Sequence, residues 1–365
     1  MMERKDWKVV KLGDFCDLKA GKNVKVSEIK QECDEINKYP CYGGNGIRGY
    51  IKKYSHCLNY PIIGRQGALC GNVTLAKAPF YATEHAVVVK PQSETNITWL
   101  YYKLRSLNLN QYAQGVAQPG LAVSTLNKIP IPVPPLPVQA RIVRELDCLQ
   151  GILSKKRQQL AEYHSLAQAI FHQMFGDPVV NEKGWEVKRL GEVCELKAGK
   201  NIKASDLKKS HIEGTYPCYG GNDIRGYINR YSHIENHIII GRQGALCGNV
   251  VYACAPFYAT EHAVVVTIKQ TMQELWLFYT LKYLNLNQYA KGVAQPGLAV
   301  GTLNKVFIPI PPSHLQEEFI SYVNIIHNQC ERLALSIHET EDLLACRMET
   351  LLACRMETLL NCPQA

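Results

Sequence analysis

GRQGALCGNV stands at residues 64–73 and again, unchanged, at residues 241–250. Reading outward from it, APFYATEHAVVV recurs at 78–89 and 255–266, LNLNQYA at 107–113 and 284–290, and GVAQPGLAV at 115–123 and 292–300. All of these pairs share an offset of 177 residues. Upstream the offset is 178: Trp7 pairs with Trp185, and LKAGKN at 18–23 pairs with LKAGKN at 196–201. One residue was gained or lost between these stretches. Self-similarity at a fixed, long offset is the mark of a duplicated structural unit, so the chain is read as a tandem repeat.

Each half has the same internal order. Some 130 residues rich in Gly, Tyr and β-branched residues come first. Short runs such as RGYI, VVYA and HAVVV lie between Gly- and Asn-containing turns, which predicts mostly strand with tight loops. WLYYKLRSLNLNQYA is read as a helix. A proline-rich stop follows, IPIPVPPLP at 129–137 and IPIPPS at 308–313. Proline neither continues a helix nor donates to a central strand, so each stop marks a boundary.

After each stop the period changes. Ile142, Leu146, Leu149, Leu153, Lys156, Leu160, Tyr163, Ala167, Ile170 and Met174 keep a 4,3 spacing broken in character only by Lys156. Adding 177 gives Phe319, Val323, Ile326, Cys330, Leu333, Ile337, Thr340, Leu344, Arg347 and Leu351, the same seam weakening toward its end. Two sustained heptad patterns predict two long helices packed on each other. A helix over 137–175 would be about 58 Å long, too long to be covered by one 130-residue domain. Gly176 and Pro178 end the first helix. The expected fold is α+β: two mixed α/β domains, 1–136 and 177–313, and two long coiled-coil helices, 137–176 and 314–361, in a tandem repeat. LLACRMET at 343–350 is repeated at once at 351–358. Eight residues are not a helical period, and the duplication reads as neutral or as a change of helix length.

The 365 residues are 46% hydrophobic and 20% charged, a globular composition. The net charge of +9 is compatible with a polyanionic partner. None of the 14 cysteines forms a CxxC pair or an array with zinc spacing. Cys16 recurs as Cys194, Cys41 as Cys218 and Cys70 as Cys247, as expected of small buried hydrophobes in a reducing compartment. No metal site is predicted. No stretch approaches 18 apolar residues and MMERKDWKVV has no apolar signal core, so a soluble, cytoplasmic protein with no membrane partner is expected.

Motifs for chemistry are missing. The pairs Pro134–Pro135 and Pro311–Pro312 lack the flanking acid or amide and the aromatic of an adenine methyltransferase motif. AGKNVK at 20–25 and AGKNIK at 198–203 lack the first Gly and the Ser/Thr of a phosphate-binding loop. No carboxylate cluster suits a nuclease. Glu84–His85, repeated as Glu261–His262, is read as a strand pair pointing to opposite faces, unsuited to shared acid–base work. The chain is therefore expected to be non-catalytic and to use no cofactor.

The repeated loops do carry groups suited to recognition. YGGNGIRGYI at 42–51 and YGGNDIRGYI at 219–228 join a Gly-Gly-Asn turn to an arginine. Asn45 and Arg48, with Asn222 and Arg225, are the first candidates, because Asn reads adenine and Arg reads guanine bidentately. Arg65 and Gln66, with Arg242 and Gln243, sit between glycines on a loop. Lys52, Lys53 and Arg230 supply charge suited to phosphates.

YPCYGGNGIRGYI at 39–51, IIGRQGALCGNV at 62–73, PFYATEHAVVV at 79–89 and GVAQPGLAVSTLNKIPIPVPPLPVQARIV at 115–143 together resemble a target-recognition domain and conserved helix of type I restriction–modification specificity subunits. The order occurs twice and covers nearly the whole chain, and QPGLA…LNKIPIPVPPL…Q is its most specific part. The resemblance implies two recognition domains, each reading half of a split site on double-stranded DNA, held apart by antiparallel helices. It further implies two docked methyltransferase (modification) subunits that methylate adenine, with restriction (motor and nuclease) subunits in the full complex. One departure stands out: the two recognition domains of such subunits normally differ, and here they are close copies. The competing readings are the recognition part of a type II restriction–methylation enzyme and a tandem carbohydrate- or metabolite-binding protein.

Overall fold

Apolar runs of the first half pair into three small sheets. The elements are β1 (Lys8–Lys11), α1 (Leu12–Phe15), β2 (Cys16–Ala20), β3 (Tyr39–Gly43), β4 (Gly46–Ile51), β5 (Tyr60–Gly64), β6 (Val73–Ala76), β7 (Tyr81–Ala82), β8 (Ala86–Pro91), α2 (Ile97–Ser106), α3 (Val123–Leu126) and β9 (Pro130–Val133). The strands form a four-stranded sheet in the order β2-β8-β5-β6, a three-stranded sheet β4-β3-β7 and a ladder β1-β9. The structure is a computed structural model, and it describes residues 7–67, 69–115, 119–244, 246–292 and 296–352.

Period-2 alternation explains the layers. Along β5 and β8, Ile63, Val87 and Val89 pack with Trp99, Leu100 and Leu104 of α2. Their neighbours Ile62 and Val88 pack on the other face with Tyr42 and Phe80. The four-stranded sheet is thus covered by a helix on one side and by the β3 hairpin on the other, which is why AVVV is apolar without a break. α2 begins where Asn96 Oδ1 accepts from the amides of Thr98 and Trp99, both at 3.1 Å. It ends earlier than the sequence pattern predicts. Asn108 takes a left-handed conformation, φ 45°, and Leu109–Tyr112 is a separate 3-10 turn. An Asn tolerates that conformation where most side chains do not, so the apolar pattern ran on past the helix.

The second half repeats every element: β10 (Glu186–Arg189), α5 (Leu190–Val193), β11 (Cys194–Ala198), β12 (Tyr216–Gly220), β13 (Asp223–Ile228), β14 (His237–Gly241), β15 (Val250–Ala253), β16 (Tyr258–Ala259), β17 (Ala263–Ile268), α6 (Glu274–Tyr283), α7 (Val300–Leu303) and β18 (Phe307–Ile310). Sheet orders β11-β17-β14-β15, β13-β12-β16 and β10-β18 match those of the first half.

The proline runs are the closing strands of these domains. Pro130 and Pro132 lie in β9 opposite Lys11 and Val9, in a ladder of only two strands where the missing amide donors are tolerated. Gln139, in the turn of helix after the run, is buried. Its Oε1 accepts from the Asn96 amide at 2.9 Å and its Nε2 donates to the Pro134 carbonyl at 2.9 Å. Gln316 does the same for Gln273 and Pro311. The glutamine in the family-specific string is therefore a clamp that seats each long helix on its domain.

Those helices are α4 (Leu136–Phe175) and α8 (Ser313–Leu352). Every predicted seam position from Ile142 to Met174 and from Phe319 to Leu351 is buried or half-buried. The chain divides into two compact units that do not follow chain order: Met1–Arg157 with Leu335–Ala365, and Gln158–Ala334. Each unit holds the start of one long helix and the end of the other. In the first, Ile142 and Leu146 of α4 share a core with Leu344, Met348 and Leu352 of α8. Glu145 pairs with Arg347 across the helices. Lys156, the odd residue of the seam, donates to the Ser336 carbonyl and hydroxyl at 3.0 and 2.7 Å and to the Thr340 hydroxyl at 2.7 Å. In the second, Phe319 and Val323 of α8 share a core with Phe171 and Phe175 of α4. The paired segments run antiparallel within each unit, because higher numbers on one helix meet lower numbers on the other.

The recurring cysteines are buried thiols. Burial pushes Cys16 and Cys194 up to about 12 and Cys218 up to about 11. Such groups are inert as nucleophiles.

The LLACRMET duplication has a simple consequence. Leu351 and Leu352, which open the second copy, complete the core of the first unit, and residues 353–358 lie outside the described residues. Excision of 351–358 brings Leu359 and Leu360 directly after Thr350, so every position through 352 keeps its residue type. The excised protein keeps every described core residue of the first unit and should melt within about 2 °C of the parent. A drop of several degrees would show that the second copy contributes to the fold.

Candidate functional site

The site is built on a contact between two backbones. The turn Gly44–Asn45 joins β3 to β4, and β5 ends beside it at Gly64. A Cβ on Gly64 would lie 1.9 Å from the Gly44 carbonyl oxygen. Only glycine allows this approach, and it sets the hairpin turn against the loop that follows β5. Gly241 and Gly221 repeat it, at 1.7 Å. From below, the QPGLA string holds the loop: Gly67 donates to the Pro119 carbonyl at 3.0 Å and Leu121 to the Arg65 carbonyl at 2.9 Å. Asn72 donates to the Asn45 side chain at 3.2 Å.

A concavity of about 480 Å³ results, lined by Gly43, Gly44, Asn45, Gly46, Ile47, Arg48, Gln66, Gly67 and His85. In the second unit the equivalent concavity is about 430 Å³, lined by Gly220, Gly221, Asn222, Asp223, Ile224, Arg225, Gln243, Gly244 and His262. The expected Asn45, Arg48 and Gln66, and Asn222, Arg225 and Gln243, therefore come together, and all six side chains are exposed.

Arg65 and Arg242 are held differently. Both are half-buried behind the loop, and Arg242 Nη1 lies 3.5 Å from the Glu261 carbonyl. Lys52, Lys53 and Arg230 stand outside the concavity, at the far ends of β4 and β13, about 20 Å along the strand. Lys53 pairs with Glu28 at 2.8 Å and lies over the Tyr81 ring at 5.6 Å. Arg230 pairs with Asp206 at 3.7 Å and lies over Tyr258 at 5.5 Å. Lys52 is exposed.

One expectation is corrected. Glu84 and His85 are not on a strand. They occupy the turn between β7 and β8, where their side chains meet at 3.2 Å, as Glu261 and His262 do at 3.0 Å. The strand rule separates neighbours onto opposite faces only where the chain is extended. His85 and His262 thus belong to the site. Their signal was recurrence inside TEHAVVV, masked by the apolar run that follows.

Polar atoms behind the concavities lack partners among the described residues. Thr83 Oγ1, Arg65 Nε and Glu84 Oε2 recur as Thr260 Oγ1, Arg242 Nε and Glu261 Oε2. Buried polar groups of this kind are uncommon, and the same atoms recur in both units. Charge is concentrated here too. Residues 7–135 carry 16 Lys/Arg against 8 Asp/Glu, and residues 185–312 carry 14 against 9, so the chain's positive excess lies in the two domains rather than in the helices. Among the described residues no group of three or more His, Cys, Asp or Glu could hold a metal ion, and no helix is long and apolar enough to cross a membrane.

The family model for the type I restriction modification DNA specificity domain matches twice, over residues 4–163 and 182–335. The chain belongs to this family. Type I specificity subunits are its relatives in sequence. That of the EcoprrI restriction enzyme of Escherichia coli is 39% identical over 221 residues, 58% of this chain and 54% of that relative's length. That of the MjaIX enzyme of Methanocaldococcus jannaschii is 24% identical over 395 residues, 91% of this chain and 90% of that one. A crystal structure of the type I S subunit of M. genitalium shares the fold, with TM-score 0.59 over 96% of this chain and 97% of the other at 18% identity. A chain from structural work on assembly and conformational transition of the type I system has TM-score 0.58 over 94% and 97% at 17% identity. As a specificity-family member, the chain carries its two DNA specificity domains as one recognition architecture built twice.

Proposed function

We propose that this chain is the non-catalytic, DNA-reading subunit of a type I restriction–modification enzyme. Each concavity reads one half of a bipartite site on double-stranded DNA. The observation that carries the reading is the paired concavity itself: Asn, Arg, Gln and His, set by glycine contacts on an exposed hairpin and loop, and built twice over within positively charged domains. Arg48 and Arg225 suit guanine, while Asn45, Gln66, Asn222 and Gln243 suit adenine. Lys52, Lys53 and Arg230 supply charge suited to phosphates, outside the concavities. Arg65 and Arg242, half-buried, are better placed to hold the loop than to reach a base.

The long helices dock two methyltransferase subunits, and restriction subunits join the larger assembly in the cytoplasm. Chemistry resides in those partners. The two concavities share nearly all their residues, and α4 and α8 exchange roles between the units, each starting in one and ending in the other. The recognised site is therefore an interrupted near-palindrome: one short half-site, unspecified bases, and the inverted complement of the first.

The test is expression of the chain with its methyltransferase subunits, followed by genome-wide mapping of methylated adenine. The expected result is one interrupted motif whose halves agree at all positions but one. Two unrelated half-sequences would overturn it, as would methyl transfer by the purified chain alone.

A further inference from the structure

The two concavities share eight of nine lining residues, and the ninth is Gly46 in one and Asp223 in the other. We infer that Asp223, with Val251 behind it, is the specificity-determining difference between the two recognition faces, and that it breaks the palindrome at a single base pair. The inference rests on the reading under Proposed function.

Position and chemistry carry it. Gly46 and Asp223 hold the same place, the residue after the Gly-Asn turn and the first of β4 or β13. Both have positive φ, 96° for Gly46 and 108° for Asp223. Glycine adopts this freely, whereas a side chain there is strained, and strain kept in one copy at the lip of a recognition site points to use. The Asp223 carboxylate is exposed and accepts from the Ile224 amide through Oδ1 at 2.8 Å. No other hydrogen bond or ion pair to it is found among the described residues, which leaves Oδ2 as an acceptor at the lip.

The residue behind changes with it. A Cβ on Gly46 would lie 4.0 Å from Thr74 Oγ1. Val251 occupies the Thr74 place in the second unit. Beside position 46 the first unit thus has a hydroxyl, which both donates and accepts, and at position 223 the second unit has a carboxylate, which only accepts. A carboxylate takes a hydrogen bond from a cytosine amino group and rejects a base edge that presents only acceptors. It also lowers the charge of its lining: Arg48 stands without an acid among its lining residues, and Arg225 has Asp223 two residues away. Among the other surface differences, Lys52 against Asn229 and Lys53 against Arg230 lie at the far ends of the strands, and Gln114 against Lys291 bridges the same glycine as Gln66 and Gln243 but lies outside the lining of either concavity.

The experiment uses the full chain with its methyltransferase subunits and maps methylated adenines for four proteins: the parent, D223G, D223G/V251T and the reciprocal G46D/T74V. D223G/V251T should turn the motif into a perfect interrupted palindrome, with preference at the one differing base pair changed about 10- to 100-fold and other positions unaltered. G46D/T74V should impose the second unit's preference on the first half-site. D223G removes a strained residue, and G46D reproduces a turn the chain already forms, so folding does not obscure the readout. An unchanged motif in both double variants overturns the inference, as does a change spread over several positions. If the parent itself gives no sequence-specific methylation, the reading under Proposed function fails, and this inference with it.

Discussion

Gly64→Ala should separate the hairpin turn from the reading loop and abolish recognition of one half-site. The added Cβ would stand 1.9 Å from the Gly44 carbonyl oxygen, a backbone atom that no rotamer change can move aside. Overpacking of this kind costs about 1–3 kcal/mol. For a unit of this size that lowers the melting temperature by roughly 3–10 °C. The larger effect is on the site, because Asn45 and Gln66 stay together only while the two backbones touch. Methylation at the cognate sequence should fall by at least about 100-fold, as expected when a reading group moves by an ångström or more. Gly151→Ala makes the contrast: it lies in α4 with nothing near its Cβ position, and there alanine stabilises by about 0.5–1 kcal/mol without touching recognition. Equal methylation by the Gly64→Ala and parent proteins would mean that the contact does not organise the site.

Leu146→Asp combined with Leu149→Asp should unfold the first unit. Leu146 is fully buried between Ile142, the domain core and Leu352 of α8, and Leu149 is half-buried on the same seam. Removing a buried leucine costs about 2–5 kcal/mol. Placing a carboxylate there without a partner adds several more, so the sum matches the whole stability of a typical domain. Thermal melting should show loss of one transition and loss of methyltransferase association. Leu166→Asp, at an exposed position of the same helix, should change the melting temperature by under about 2 °C. If the double variant melts like the parent, the seam does not hold the unit together.

The two variants separate what a linear pattern reveals from what folding adds. The Leu146 seam was legible because a 4,3 period is a local property of a helix, readable wherever apolar residues recur. The role of Gly64 was only half legible. Recurrence marked GRQGALCGNV as a unit, but nothing in the string says that its first glycine meets Gly44, twenty residues upstream. The length of α2 was overread for a related reason. LNLNQYA continues an apolar pattern, while the break depends on one asparagine taking a left-handed conformation.

By itself, the amino-acid sequence determined the duplication, the alternation of strand and long helix, the apolar seams, the closing proline runs and the family. Each of these rests on periodicity or identity within one stretch of chain. Tertiary structure alone decided which polar residues share a site. Asn45, Gln66 and His85 converge because β3, β5 and the β7–β8 turn meet, whereas Lys53 is drawn to Glu28 and Tyr81, and Arg65 is turned behind its loop. It also decided that each compact unit is completed by the end of the other long helix. The physical reason is common to all of these. A side chain's environment is set by segments far away in sequence, and no local pattern encodes which segments those will be.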